Sequence, residues 1–187
     1  MLHRIFIAIN LPEKVKNELN DFQLKHPNLP ARWTKKENLH ITLLFIGLAT
    51  EEEIKNITKT IKEASLKHKS FPLKLNEICY GPQNKMPPRM VWTIGEKSEE
   101  ISRLHKDLKN SLTYNLKSFK PNDRTYSTHI TLARINEWNF RKIEPEERPL
   151  TKESISLEFK VNSIEIMESQ LKKTGPEYTI LESIQLQ

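Results

Sequence analysis

Isoleucines at positions 5, 7 and 9 alternate with Phe6 and Ala8 between His3 and Asn10, the period of two that sends successive side chains to opposite faces of a strand. Beyond Pro12 the period lengthens. Val15, Leu19 and Phe22 fall at helical spacing, Pro12 suits a first turn because its missing N–H would have no partner there, and Pro27 to Pro30 end the helix. Leu39 to Ile46 returns to strand character and is closed by Gly47. Thr50 to Glu53 has the form of a capping box, and Ile54, Ile57, Ile61 and Ala64 give the helix behind it an inward stripe. Phe71 to Tyr80 and Met90 to Ile94 read as strands around a Pro-rich connection, Gly81 to Pro88. Ser98 opens a third helix with Ile101, Leu104, Leu108 and Leu112 inward. Lys117 to Thr128 predicts a loop and His129 to Ala133 a strand, followed by three more strands at Ser154 to Phe159, Val161 to Glu168 and Tyr178 to Leu186. Strand and helix pairs with a strand-rich tail argue for α+β architecture with mostly antiparallel sheet. With four glycines and no Gly/Ser linker, residues 1–187 are expected to form a single bilobal domain.

Composition narrows the classes. No run approaches the roughly 18 consecutive apolar residues of a membrane span, and the N-terminus lacks the core and cleavage site of a signal peptide, so a cytoplasmic location away from membranes is expected. The single cysteine, Cys79, makes neither an internal disulfide nor a cysteine-based zinc site. A formal charge of +6 suits polyanionic partners or plain solubility, and acidic residues are mixed with the basic ones, so a disordered nucleic-acid tail is not indicated. No heptad or long apolar edge demands a second copy, and a monomer is expected.

The sharper signal is a duplication. His40-Ile41-Thr42-Leu43 recurs as His129-Ile130-Thr131-Leu132, 89 residues on, close to half the chain. On a strand, His and Thr two positions apart share a face while Ile and Leu point into a core. Each copy therefore offers an imidazole and a hydroxyl together. If the halves are related by a pseudo-twofold, the two pairs converge on one cleft and suit phosphoryl transfer without a metal. One histidine takes a proton from the nucleophile, the other gives one to the leaving oxygen, and the hydroxyls donate to non-bridging oxygens. Imidazole fits because its pKa of about 6.5 admits both protonation states near neutrality. Two histidines supply only two metal ligands, and no other His, Asp or Glu stands at ligand spacing, so neither a metal nor a cofactor is expected.

Arg4 to Ile9, Arg32-Trp33, Glu37 to Gly47, Pro88 to Trp92 and His129 to Arg134, in this order, resemble the RNA 2′,3′-cyclic phosphodiesterases of the two-histidine phosphoesterase superfamily, also called the 2′-5′ RNA ligase family. The tail from Val161 through Gly175 and Tyr178 is similar to that family's closing strands. The resemblance implies a bilobal α+β fold, with two mostly antiparallel sheets in pseudo-twofold array around a central cleft and helices outside. It also implies metal-independent hydrolysis of terminal 2′,3′-cyclic phosphates on RNA or nucleotides to 2′-phosphates. By that resemblance His40 is the general acid, His129 the general base, and Thr42 and Thr131 hold the phosphate. The family often has Pro before the second histidine; Thr128 stands there. Arg134 and Arg89 are each open between phosphate contact and a surface salt bridge, since strict alternation turns Arg134 away from His129 and Thr131. Phe45 falls in the core-facing set with Ile41 and Leu43, and Trp33, Trp92 and Tyr126 are expected to pack rather than stack on a base. Binding of RNA ends without turnover, 2′-5′ joining of tRNA halves, and cleavage of a small cyclic nucleotide remain alternative readings of the same groups. Asn28 to Lys36, Gly81 to Pro88 and Lys117 to Thr128 are the loops expected to set substrate choice.

Overall fold

The computed structural model describes residues 1–82, 85–122, 125–148, 152–173 and 175–187. The predicted loops Gly81 to Pro88 and Lys117 to Thr128 thus each include two positions, 83–84 and 123–124, outside the described residues.

The first strand, β1 (His3–Asn10), buries Ile5, Ile7 and Ile9 in the main core, while Phe6 and Ala8 are covered on the other face by Met167 and Tyr178. Helix α1 (Glu13–Lys25) lays Val15, Leu19 and Phe22 on the core. A three-residue strand, β2 (Ala31–Trp33), which periodicity cannot reveal at that length, precedes β3 (His40–Ala49). Strand β3 does not stop at Gly47. That glycine adopts φ +98°, a left-handed conformation costly to other residues, and the strand runs on to Ala49 through an irregular step. Helix α2 (Glu51–Ser65) starts with the full capping box of Thr50 and Glu53. The rest of the chain supplies β4 (Phe71–Gly81), β5 (Met90–Gly95), α3 (Glu99–Asn115), β6 (His129–Ile135), the one-turn α4 (Glu137–Arg141), β7 (Lys152–Val161), β8 (Ser163–Lys172) and β9 (Gly175–Gln185). All four residues assigned to the inward stripe of α3 are buried. Of the α2 stripe Ile57, Ile61 and Ala64 are buried, with Ile54 at its margin.

Every strand pairing is antiparallel, in the order β7-β4-β5-β6-β3-β1-β8-β9, with β2 added beside β6. The order mirrors itself about its centre: β3-β1-β8-β9 on one side answers β6-β5-β4-β7 on the other. A helix links the two inner strands of each half, α1 between β1 and β3 and α3 between β5 and β6. The two expected sheets are therefore the halves of one hydrogen-bonded array. Strands β3 and β6 join through one bridge, Ile41 opposite Ile130, both fully buried, and β2 adds three pairs to β6 beside it.

Candidate active site

The central bridge decides the geometry. With Ile41 opposite Ile130 in antiparallel sense, His40 comes across from Thr131 and Thr42 across from His129. The two histidines are then diagonal neighbours, a backbone relation of about 7–8 Å. All four side chains share the face opposite the core and are half-buried, whereas Ile41, Leu43, Ile130 and Leu132 are buried behind them.

The two rings are held alike. His40 Nδ1 lies 2.7 Å from the carbonyl of Asn38 and His129 Nδ1 lies 2.8 Å from the carbonyl of Ser127, each two residues back. A carbonyl only accepts, so Nδ1 carries the proton in both rings, and Nε2 of the neutral imidazole is a free base. Nε2 of His40 is 3.0 Å from Thr42 Oγ1, which pairs the imidazole and hydroxyl of one copy. Asn38 is itself tied down, its Nδ2 donating to the Pro176 carbonyl at 2.8 Å at the start of β9. The tip of the last hairpin thus covers His40: Tyr178 meets its ring at 5.2 Å edge-on, and Phe6 packs beside it at 5.0 Å. His129 is backed by Trp92, with ring centroids 4.5 Å apart. Trp92 can lie there because Gly81 has no Cβ; one would fall 2.3 Å from the indole.

Electrostatics act on the buried ring. Burial is the main cause holding the His40 pKa below the ordinary imidazole value; the charges of His129 and of the buried Lys16 add to it, while the Asn38 carbonyl opposes them.

A symmetric irregularity extends the site. The pairing of β1 with β3 steps past Leu43, and that of β5 with β6 steps past Leu132, one extra residue at the same place in each copy. A bulge of one residue reverses the alternation beyond it. Leu43 and Leu44 are consequently both buried, as are Leu132 and Ala133, and the next residue of each copy turns to the face of the two histidines. That residue is Arg134 in β6, so the bulge turns it to the side of His129 and Thr131. In β3 it is Phe45. The alternation rule placed Phe45 in the core; it is 75% exposed, with its ring 6.3 Å from Phe6. Two buried apolar residues in succession, Leu43-Leu44 and Leu132-Ala133, are the only sequence trace of these bulges.

The remaining candidates have other partners. Arg89, one residue before β5, pairs through Nε with Glu137 at 3.2 Å. Trp33 packs edge-on against Phe22, and Tyr126 stacks on His105. Thr128, in the place of the family's proline, is buried, and its carbonyl accepts from Gly95 N–H at 3.1 Å. A groove of about 460 Å³ between α2 and β9 contains none of these residues. Among the described residues no three His, Cys, Asp or Glu side chains are grouped to hold a metal, and no helix is long and apolar enough to cross a membrane.

Comparison with known proteins bears on the same elements. A family described as LigT-like phosphoesterase matches residues 9–92 and 94–178, one stretch for each copy of the tetrapeptide. The RNA 2′,3′-cyclic phosphodiesterase of Thermotoga maritima is 29% identical over 190 residues, covering 98% of this chain and 96% of its own. A crystal structure of a Thermus thermophilus protein superposes with a TM-score of 0.84 at 29% identity, over 98% of this chain and 97% of that one. Escherichia coli LigT, crystallised with 3′-AMP, shares the fold with a TM-score of 0.81 at 22% identity, over 100% and 99% of the two chains.

Proposed function

The chain belongs to the LigT-like phosphoesterase family, and on that premise we propose that it hydrolyses the 2′,3′-cyclic phosphate at the end of an RNA to a 2′-phosphate. The observation that carries this reading is the antiparallel bridge at Ile41 and Ile130, which sets two Nδ1-anchored imidazoles on one face, each facing the other copy's threonine. His129 Nε2 takes a proton from water as its oxygen attacks phosphorus. The P–O3′ bond breaks, and His40, as imidazolium, delivers the Nε2 proton to the departing 3′ oxygen. Charge that builds on the non-bridging oxygens is met by the hydroxyls of Thr42 and Thr131 and by the guanidinium of Arg134. Proton exchange between the rings and water restores the starting state, and no metal takes part. The exposed ring of Phe45, set beside the buried Phe6, offers a stacking surface for the terminal base. Because each half supplies one histidine, the two halves act as one unit, and one chain holds a full set without a second copy.

The test is incubation of the purified protein, in EDTA, with a short RNA ending in 2′,3′-cyclic phosphate. Clean 2′-phosphate product is expected, with a loss of about 10² or more in either folded His40→Ala or His129→Ala. Full hydrolysis by either variant would sink the pairing. Joined RNA in place of 2′-phosphate would identify ligation as the reaction.

A further inference from the structure

Strand β2 places Arg32 directly opposite Arg134. Residues directly opposite in an antiparallel pair send their side chains to the same face, with Cβ atoms about 5 Å apart. Arg32 therefore shares the catalytic face that the bulge at Leu132 opens to Arg134. Both arginines are exposed, and neither is within salt-bridge distance of a carboxylate among the described residues. Like charges directly opposite one another destabilise a sheet, so this pair is not explained by stability.

The base of Arg32 is firm. Its neighbours Ala31 and Trp33 pack against the core, and the backbone is clamped on both sides by Thr34 N–H to the Leu132 carbonyl at 2.8 Å and Asn136 N–H to the Pro30 carbonyl at 2.8 Å. Its register sets it beside Arg134, three residues beyond Thr131 on the same edge of the site. Arg134 and Arg32 both act electrostatically on Tyr178, whose ring rests on His40, and they oppose the upward push of burial on its phenol. Two adjacent guanidiniums thus flank one end of the histidine pair. A cyclic phosphate carries one negative charge, and one bidentate guanidinium with two hydroxyls satisfies its two free oxygens. The second guanidinium calls for a second anion.

We propose that Arg32 binds the phosphodiester linking the terminal nucleotide to the rest of the RNA, and so makes this site prefer RNA ends over free nucleoside cyclic phosphates. This inference rests on the cyclic-phosphate reading above. Arg32 acts on binding and positioning, while bond making and breaking stay with the two histidines. A 5′-phosphate on a mononucleotide presents similar chemistry, and a series of substrates separates the sources: adenosine 2′,3′-cyclic phosphate with a free 5′-hydroxyl, the same compound with a 5′-phosphate, and a short RNA with the cyclic end.

For Arg32→Gln, the ratio of kcat/KM on the RNA to that on the 5′-hydroxyl nucleoside is expected to fall about tenfold or more, mainly through KM. The slope of log(kcat/KM) against log[salt] on RNA should shrink by about one. Arg32→Lys should recover part of the loss, and thermal melting of both variants verifies folding. If the 5′-phosphorylated mononucleotide suffers the same loss as RNA, the anion contacted is the first 5′ phosphate alone. A ratio that stays put, whether both rates fall or neither does, overturns the proposal. Should the wild-type protein turn over none of the three, the cyclic-phosphate reading fails by itself. Arg32 is then judged by affinity for a short RNA with a 2′-phosphate end, which Arg32→Gln must weaken about tenfold relative to adenosine 2′-phosphate.

Discussion

At the scale of single residues, His40 and His129 are chemically alike and differ in surroundings, the first under Tyr178 and Phe6 and the second against Trp92. Under the proposed roles the free enzyme must keep a proton on His40 and none on His129. Burial, with the charges of His129 and Lys16, lowers the His40 pKa, so the protonated acid becomes scarce as pH rises. The profile of kcat/KM, which reports the free enzyme, is expected to be a bell whose alkaline limb, set by loss of the His40 proton, is drawn to lower pH. Bound phosphate favours imidazolium, so the kcat profile should lie at higher pH; a flat profile between about pH 5 and 8 would remove the acid/base pair. Phe45 supplies a second residue-scale test. Being 75% exposed, it contributes little to the core, and Phe45→Ala should leave stability within about 0.5 kcal/mol. The same variant should raise KM for a cyclic-ended RNA about tenfold, as expected when one base stack of about 1–3 kcal/mol is lost. A large fall in melting temperature instead would return Phe45 to a packing role.

At the scale of elements, most of the chain was legible because helix and strand periods are local. The capping box at Thr50, the four inward residues of α3 and the alternation in β1 depend on neighbours a few positions away, and each stands as the pattern implied. Strand β2 escaped because three residues carry no period, and α4 because one turn carries no stripe. The bulges at Leu43 and Leu132 escaped for another reason: an extra residue is defined only against a partner strand. Gly81 belongs to this scale as well, since it lets β5 bring Trp92 against His129. A Cβ there would overlap the indole, so Gly81→Ala should move the tryptophan and its neighbour. We expect kcat to fall about tenfold to a hundredfold, with altered tryptophan fluorescence. Unchanged kcat with altered fluorescence would show that Trp92 does not hold the ring.

At the scale of the whole molecule, two halves with mirrored strand order meet where β3 and β2 pair with β6, and the histidine pair exists only across the β3–β6 bridge. Ile130→Ala, at a fully buried position, should cost about 2–4 kcal/mol of stability and lower kcat more than it raises KM, because the spacing of the histidines depends on that contact. Leu73→Ala, equally buried but in β4 away from the seam, should cost similar stability with kcat intact. Kinetics on both, at a temperature where each is folded, separate the seam from general loosening; equal effects on kcat would count against it. From the residues alone came the elements, the polar faces of both His-x-Thr pairs and their likeness to a two-histidine site, because alternation along a strand is set by backbone geometry within a few residues. Pairing across 89 residues was decided only in the folded molecule. It set Ile41 against Ile130, turned Phe45 and Arg134 to the face of the two histidines through one extra residue each, and laid Arg32 beside Arg134. The register of distant strands depends on how two cores close against each other, and no local period records that.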